Sequence, residues 1–226
     1  VGSEMCIRDR MGTVLGGPGL FMKAHAADAG VLYIIDSIGG TPESVTEDCT
    51  DSAGGWSYDA GTATLTLDGF QGEYIEANGD INIVLKGKNK ITISAESTEG
   101  IKSTGKVTID DTISPVQDCL DIYCNDGTES VSMIYTGGFG ADYATYIVGG
   151  TVNLVEENTR RRYVTGISRW AYVENDASLN INLSADGGRN GVAALLNLNT
   201  SGDTSFRVNS LSSSCLLYTS PSPRDA

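Results

Sequence analysis

The chain has 226 residues, a formal net charge of −14 and a sequence pI near 4.3. A surface this acidic repels phosphate backbones and anionic membranes, which argues against nucleic acid as a partner. It suits divalent cations, cationic polymers or plain solvation. Gly is abundant at 28 and Pro scarce at 5. Val, Ile, Thr and Tyr cluster in short runs divided by Gly, Asn and Asp, the composition of a turn-rich all-β protein. No helical apolar period persists, and no apolar run is long enough to span a bilayer.

The two ends are foreign to the fold. Residues 1–10 read VGSEMCIRDR and residues 215–226 read CLLYTSPSPRDA. MCIRD can be encoded ATG TGT ATA AGA GAC, whose reverse complement, one frame over, begins TGT CTC TTA TAC ACA, or CLLYT. VGSE likewise returns SPSP. Both ends resemble a translated sequencing-library adapter read from opposite strands. Residues 1–10 and 214–226 are therefore set aside as scars. They carry three bases (Arg8, Arg10, Arg224) and three acids (Glu4, Asp9, Asp225), so the net charge of the insert stays at −14. The insert, 11–213, has about 200 residues, enough for one domain with a sizeable core. It is expected to be a fragment at both ends.

Residues 11–26, MGTVLGGPGLFMKAHA, read as the tail of a secretory signal peptide. Small and apolar residues precede Ala24-His25-Ala26, an A-x-A cleavage pattern, and an acidic start follows. Export would remove His25, the single histidine. An N-terminal segment, 27–54, comes next. Within it Val31–Ile35 is an expected strand, and Asp36–Gly55 is polar and expected to be a loop. The β domain proper spans 55–213. It opens with GWSYDAGTATLTLDGF, where Trp56 and Tyr58 alternate, Asp59-Ala60-Gly61 turns, and Ala63, Leu65 and Leu67 alternate again. This predicts a hairpin or a first coil. Trp56 is expected to pack over the open end of the core, since terminal units of a stacked fold need an atypical cap.

A repeat follows. Ile75 aligns with Ile101, Gly79 with Gly105, Ile81 with Val107 and Ile83 with Ile109, each 26 residues apart. Alternating strands then begin at Ile81, Val107, Val131, Val152, Leu179 and Phe206, most of them after a Gly, Asn or Asp turn. A second aliphatic marker precedes them at Ile75, Ile101, Ile122, Ile147, Ile167 and Val192. This frame predicts an all-β right-handed parallel β-helix of about six coils with an N-terminal hairpin or cap. A sandwich, with strands every 8–12 residues, is the competing architecture. Gly79 and Gly105 are expected to turn the backbone at equivalent corners.

AHAADAG, GWSYDAGTATLTLDGF, IEANGDINIVLKGKNKIT and GIKSTGKVTID together resemble the secreted, pectate-lyase-like β-helix proteins of Gram-positive bacteria, of the carbohydrate-binding or cell-surface kind. The match is good over 55–110 and loose from Val131 onward. The resemblance implies fold and compartment more than chemistry, and it transfers no catalytic residue.

Without histidine, the Ser-His-Asp and Cys-His nucleophile systems are absent in their usual form. No G-x-S-x-G elbow, P-loop or G-x-G-x-x-G turn is present. Gly137-Gly138-Phe139-Gly140 reads as a loop. Polysaccharide lyases of this fold hold calcium on acidic side chains. Asp80, Asp110 and Asp111 are the acidic candidates here, with Asp110 and Asp111 the proposed metal ligands, against the simpler reading that such a pair ends a strand. Arg160-Arg161-Arg162 is the one basic cluster, either a contact for acidic sugars or an exposed turn. In Ile167–Val173, ISRWAYV, inward Ile167, Ala171 and Val173 would place Ser168, Trp170 and Tyr172 outward. Trp170 and Tyr172 would then lie side by side to stack on sugar rings, unless Trp170 packs under a loop. Arg169 would point inward unless the strand bends. Arg162, Trp170 and Tyr172 are thus the candidate ligand-binding residues. Cys119 and Cys124 either pair or stay free; Cys49 is the third thiol, and no second cysteine pair supports zinc. The functional expectation is a non-catalytic extracellular module that binds polysaccharide and is a monomer in the full-length protein. It needs no cofactor beyond a possible calcium ion. A structural stalk and a divergent calcium-dependent polysaccharide lyase are the alternatives.

Overall fold

The computed structural model describes residues 31–95, 97–111, 118–125, 127, 129–157 and 163–183, and the backbone of strands at 189–192, 196–198 and 205–209. The expected signal segment, 11–26, lies outside the described residues.

The chain opens on a short antiparallel cap. β1 (Leu32–Ile35) pairs with β2 (Glu43–Val45). β3 (Cys49–Asp51) pairs with β4 (Trp56–Asp59), which pairs in turn with β5 (Thr64–Asp68). Trp56 sits opposite Leu67 and Tyr58 opposite Leu65, so the expected hairpin is present. Trp56 is buried at 3% exposure, with its indole N–H donated to Asp36 Oδ2 at 3.3 Å. The loop expected over Asp36–Gly55 is corrected: β2 and β3 lie within it. Strands of three residues carry too little alternation to show in a polar sequence.

From β5 onward the chain visits three sheets in rotation. After β5 come β6 (Gln71–Gly72) and β7 (Tyr74–Ala77); then β8 (Ile81–Lys86), β9 (Lys88–Ile93) and β10 (Glu99–Ser103). The third round is β11 (Val107–Asp111), β12 (Cys119–Cys124) and β13 (Val131–Thr136). The fourth is β14 (Thr145–Ile147), β15 (Thr151–Glu156) and β16 (Val164–Ile167). The fifth is β17 (Ala171–Val173), β18 (Ser178–Asn182) and β19 (Arg189–Val192), followed by β20 (Leu196–Leu198) and β21 (Ser205–Asn209). Each strand pairs in parallel with the strand three places later. Sheet A holds β7, β10, β13, β16 and β19 plus β1 and β2; sheet B runs from β5 to β20 with β4 and β3 at its edge; sheet C runs from β6 to β21. The molecule is all-β with three largely parallel sheets, an arrangement compatible with a solenoid.

The core is built from columns of inward side chains at equal register. On sheet B, Leu65, Ile83, Ile109, Ile147 and Val173 stack in one column, all 0% exposed. On sheet A, Ile75, Ile101, Ile134 and Ile167 form another. Each such side chain contributes about 1.5–3 kcal/mol by leaving water. At the corner opening sheet C, buried Asn89 accepts Phe70 N–H at 2.9 Å and donates to Lys86 O and Cys119 O, both at 3.3 Å. A polar residue inside the corner is thereby satisfied.

The 26-residue frame holds where it was clearest: Ile75 pairs with Ile101, Ile81 with Val107 and Ile83 with Ile109. The longer repeat count needs correction. Val131 begins a strand of sheet A, while Val152, Leu179 and Phe206 lie on sheet C. The apparent steps of 24 and 21 therefore each cross only to another sheet, short of a full round. On sheet A the partner of Ile101 is Ile134; Ile122 belongs to sheet C and Ile147 to sheet B. Only Gly79 of the glycine pair needs a positive φ, at 113°. Gly105 is required by close approach, since a Cβ there would come within 2.7 Å of Asp80 N.

Candidate functional site

The regular rungs are interrupted at the corner between sheets A and B. Successive rounds cross this corner through 104–106, through the longer loop 137–144 and through 168–170. Loop 137–144 contains Gly140 at φ 96° and a single turn of 3-10 helix, Ala141–Tyr143. It projects Phe139, 69% exposed, and Tyr143, 39% exposed. Tyr146, just past the loop, donates its hydroxyl to Ala141 O at 3.4 Å, a weak bond.

The segment Ile167–Val173 behaves partly as expected. Ile167, Ala171 and Val173 are buried, and Trp170 and Tyr172 are half-exposed. Ser168 is not outward, being 8% exposed. The cause is a bend over Ser168-Arg169 that ends β16 and lets β17 start in another sheet, so alternation does not carry through. The same bend turns the Arg169 guanidinium over the Phe139 ring, 4.3 Å from its centroid, and 5.6 Å from that of Tyr135. Cation–π attraction of this kind holds the cation beside the loop. Lys106 Nζ lies 5.9 Å from the Tyr146 centroid and 4.0 Å from Asp80 Oδ2.

Trp170 and Tyr172 do not form a flat pair. Tyr172 stacks instead on Tyr146, its register partner one round earlier, with centroids 4.6 Å apart and planes at 6°. The face each ring turns to the other is closed to a sugar. Trp170 occupies the corner, where its carbonyl accepts Thr145 N–H at 2.9 Å. Burial, then the neighbours Tyr172, Glu174 and Asp142, raise the Tyr146 phenol above its ordinary pKa. Arg162 and the rest of the arginine cluster lie outside the described residues. Tyr146, Phe139, Lys106 and Arg169 join the corner group without having been singled out as ligand-binding residues. Tyr146 was findable, because it precedes Tyr172 by the 26 residues of the opening repeat.

Asp110 and Asp111 end β11 at the corner between sheets B and C. Asp110 is exposed, and its Oδ1 accepts Asp111 N–H at 2.8 Å. A Cβ on Gly149 would collide with Oδ1 of both aspartates, so the two oxygens converge there. Burial, then Asp110 and Asp118, push the Asp111 carboxyl above its ordinary pKa, and its Oδ2 meets no hydrogen-bond partner among the described residues. Asp118 Oδ1 is engaged by Gly87 N–H at 2.7 Å. The group supplies two converging oxygens, part of the six to eight that calcium takes. A second acidic group, Asp36, Glu43 and Asp51, gathers three carboxylates within 4.8 Å in the cap. There Asp51 Oδ1 accepts Ala53 and Gly54 N–H, and Asp36 holds Trp56.

Cys119, a free thiol, and Cys124, which is buried, stand at opposite ends of β12. Five residues of extended strand separate them by about 16 Å, beyond disulfide reach. Burial, then Asp121, raises the Cys119 pKa and suppresses its thiolate. Cys49 is disulfide-bonded. Among the described residues no helix is long and apolar enough to cross a membrane.

No family model, curated protein or solved structure matches the chain.

Proposed function

We propose that the three sheets are the faces of one right-handed parallel β-helix, and that it serves as a non-catalytic, secreted or cell-surface module binding polysaccharide. The single observation that supports this is the corner of sheets A and B. There an inserted loop exposes Phe139 beside Arg169, with half-exposed Trp170 and Tyr172 within a few residues. Phe139, Arg169 and Trp170 lie between the strands of sheets A and B, and aromatic and cationic groups placed in this way are the surface best suited to sugar rings and their hydroxyls. Binding of the full chain to a panel of plant and mucin polysaccharides, followed by affinity electrophoresis, tests it. Retardation by at least one polysaccharide, reduced in Phe139→Ala and Trp170→Ala, is expected. Unchanged mobility throughout overturns the reading.

A structural stalk is the second reading. It is favoured by outward side chains spent on one another: Asn180 donates to Asn153 at 2.8 Å, and Asn153 to Asp121 at 2.6 Å, along one face of sheet C. A divergent lyase would use calcium at Asp110 and Asp111. Calcium-dependent release of unsaturated product from pectate would establish that reading in place of the other two.

A further inference from the structure

The Tyr146–Tyr172 pair has a chemistry of its own, independent of glycan binding. The two phenols occupy equivalent positions on β14 and β17, paired residue to residue. Their rings are 4.6 Å apart and within 6° of parallel. Both are half-exposed on the outer face of sheet B, where an oxidant can reach them.

We propose that Tyr146 and Tyr172 form a site of oxidative cross-linking, joined as a dityrosine by a peroxide-driven one-electron oxidant. Each phenol gives up one electron and its O–H proton, leaving a phenoxyl radical. The radicals pair, and one carbon–carbon bond forms between positions ortho to the two oxygens. Each ortho carbon then loses its hydrogen as a proton, and both phenol oxygens are reprotonated. Overall the protein loses two hydrogen atoms, and one hydrogen peroxide is reduced to two waters. The parallel register supplies what this coupling needs: two radicals held face to face before either reacts elsewhere. The product ties successive rounds of sheet B together covalently, a constraint on the unfolded chain like that of a disulfide.

Exposure alone selects other residues. Tyr143 and Tyr163 are more accessible, at 39% and 45%. The test treats the full chain with hydrogen peroxide and a haem peroxidase, then maps peptides by mass spectrometry. The expected product is an intramolecular link between the Tyr146 and Tyr172 peptides, lighter by two hydrogen atoms and with dityrosine fluorescence. Its rate should not depend on protein concentration, and its midpoint in urea should rise. Tyr146→Phe and Tyr172→Phe keep a ring in the stack and should each abolish the product. Linkage at Tyr143 or Tyr163, only intermolecular product, or no cross-link overturns the proposal; the peptide map of the unsubstituted chain decides this even where a variant fails to fold.

Discussion

Lys102 and Glu76 face each other across neighbouring parallel strands of sheet A, with Nζ 2.7 Å from Oε1. The Glu76 side chain is 9% exposed and that of Lys102 31%. Glu76 Oε2 also accepts the Tyr74 hydroxyl at 2.8 Å. Burial first, and then this carboxylate, push the Tyr74 phenol far above its ordinary pKa. Removing the ammonium leaves a largely buried carboxylate that keeps the tyrosine hydroxyl but has lost its counter-charge. Lys102→Met should therefore lower stability by about 1–3 kcal/mol in urea denaturation. An unchanged midpoint would show that the pair contributes nothing.

Inward and outward positions on one strand should respond differently. Ile109 is fully buried in the sheet B column and Thr108 faces out beside it. Ile109→Ala should cost about 2–5 kcal/mol, and Thr108→Ala no more than about 0.5 kcal/mol. Equal losses would contradict the assigned faces.

Gly105 tests the corner. A methyl group there would press on the backbone of Gly79 and Asp80, each with an atom 2.7 Å from the new carbon. Gly105→Ala should cost about 1–3 kcal/mol through the forced backbone shift. A neutral result in thermal denaturation would mean that the corner yields freely.

Asp111 gives a pH prediction. Its carboxyl is raised by burial first, then by Asp110 and Asp118. A raised carboxyl binds its proton more tightly folded than unfolded, so its contribution favours folding at low pH. That contribution fades as pH rises through the folded value. Asp111→Asn should thus stabilise the protein at neutral pH, with the gain shrinking as pH falls through the raised folded value and gone below the ordinary carboxylate value. A gain that is constant across pH, or a loss at neutral pH, refutes this. Calcium binding at the same corner would show as a stabilisation of the unsubstituted chain that the variant lacks.

Local alternation alone was enough to place the longer core strands and their inward faces, though not the three-residue strands β2 and β3. Ile81, Ile83 and Leu85 alternate inward, as do Val107 and Ile109, because a strand's side-chain period is local. The glycine at the corner after Ala77 and the hairpin at Trp56–Leu67 were legible for the same reason: each rests on contacts between near neighbours. Which sheet a strand joins was decided only by the tertiary structure. The strands of all three sheets are short aliphatic alternations, and none carries a mark of its face. A full round from Val107 takes 38 residues to reach Thr145, because corner insertions lengthen it, so Val131 read as the next rung while lying in another sheet. The bend at Ser168-Arg169 broke the alternation that placed Ser168 outward. The stacking of Tyr172 on Tyr146 in place of a pairing with Trp170 depends on register between rounds. Register is set by the whole column of buried side chains, and no single segment of sequence contains it.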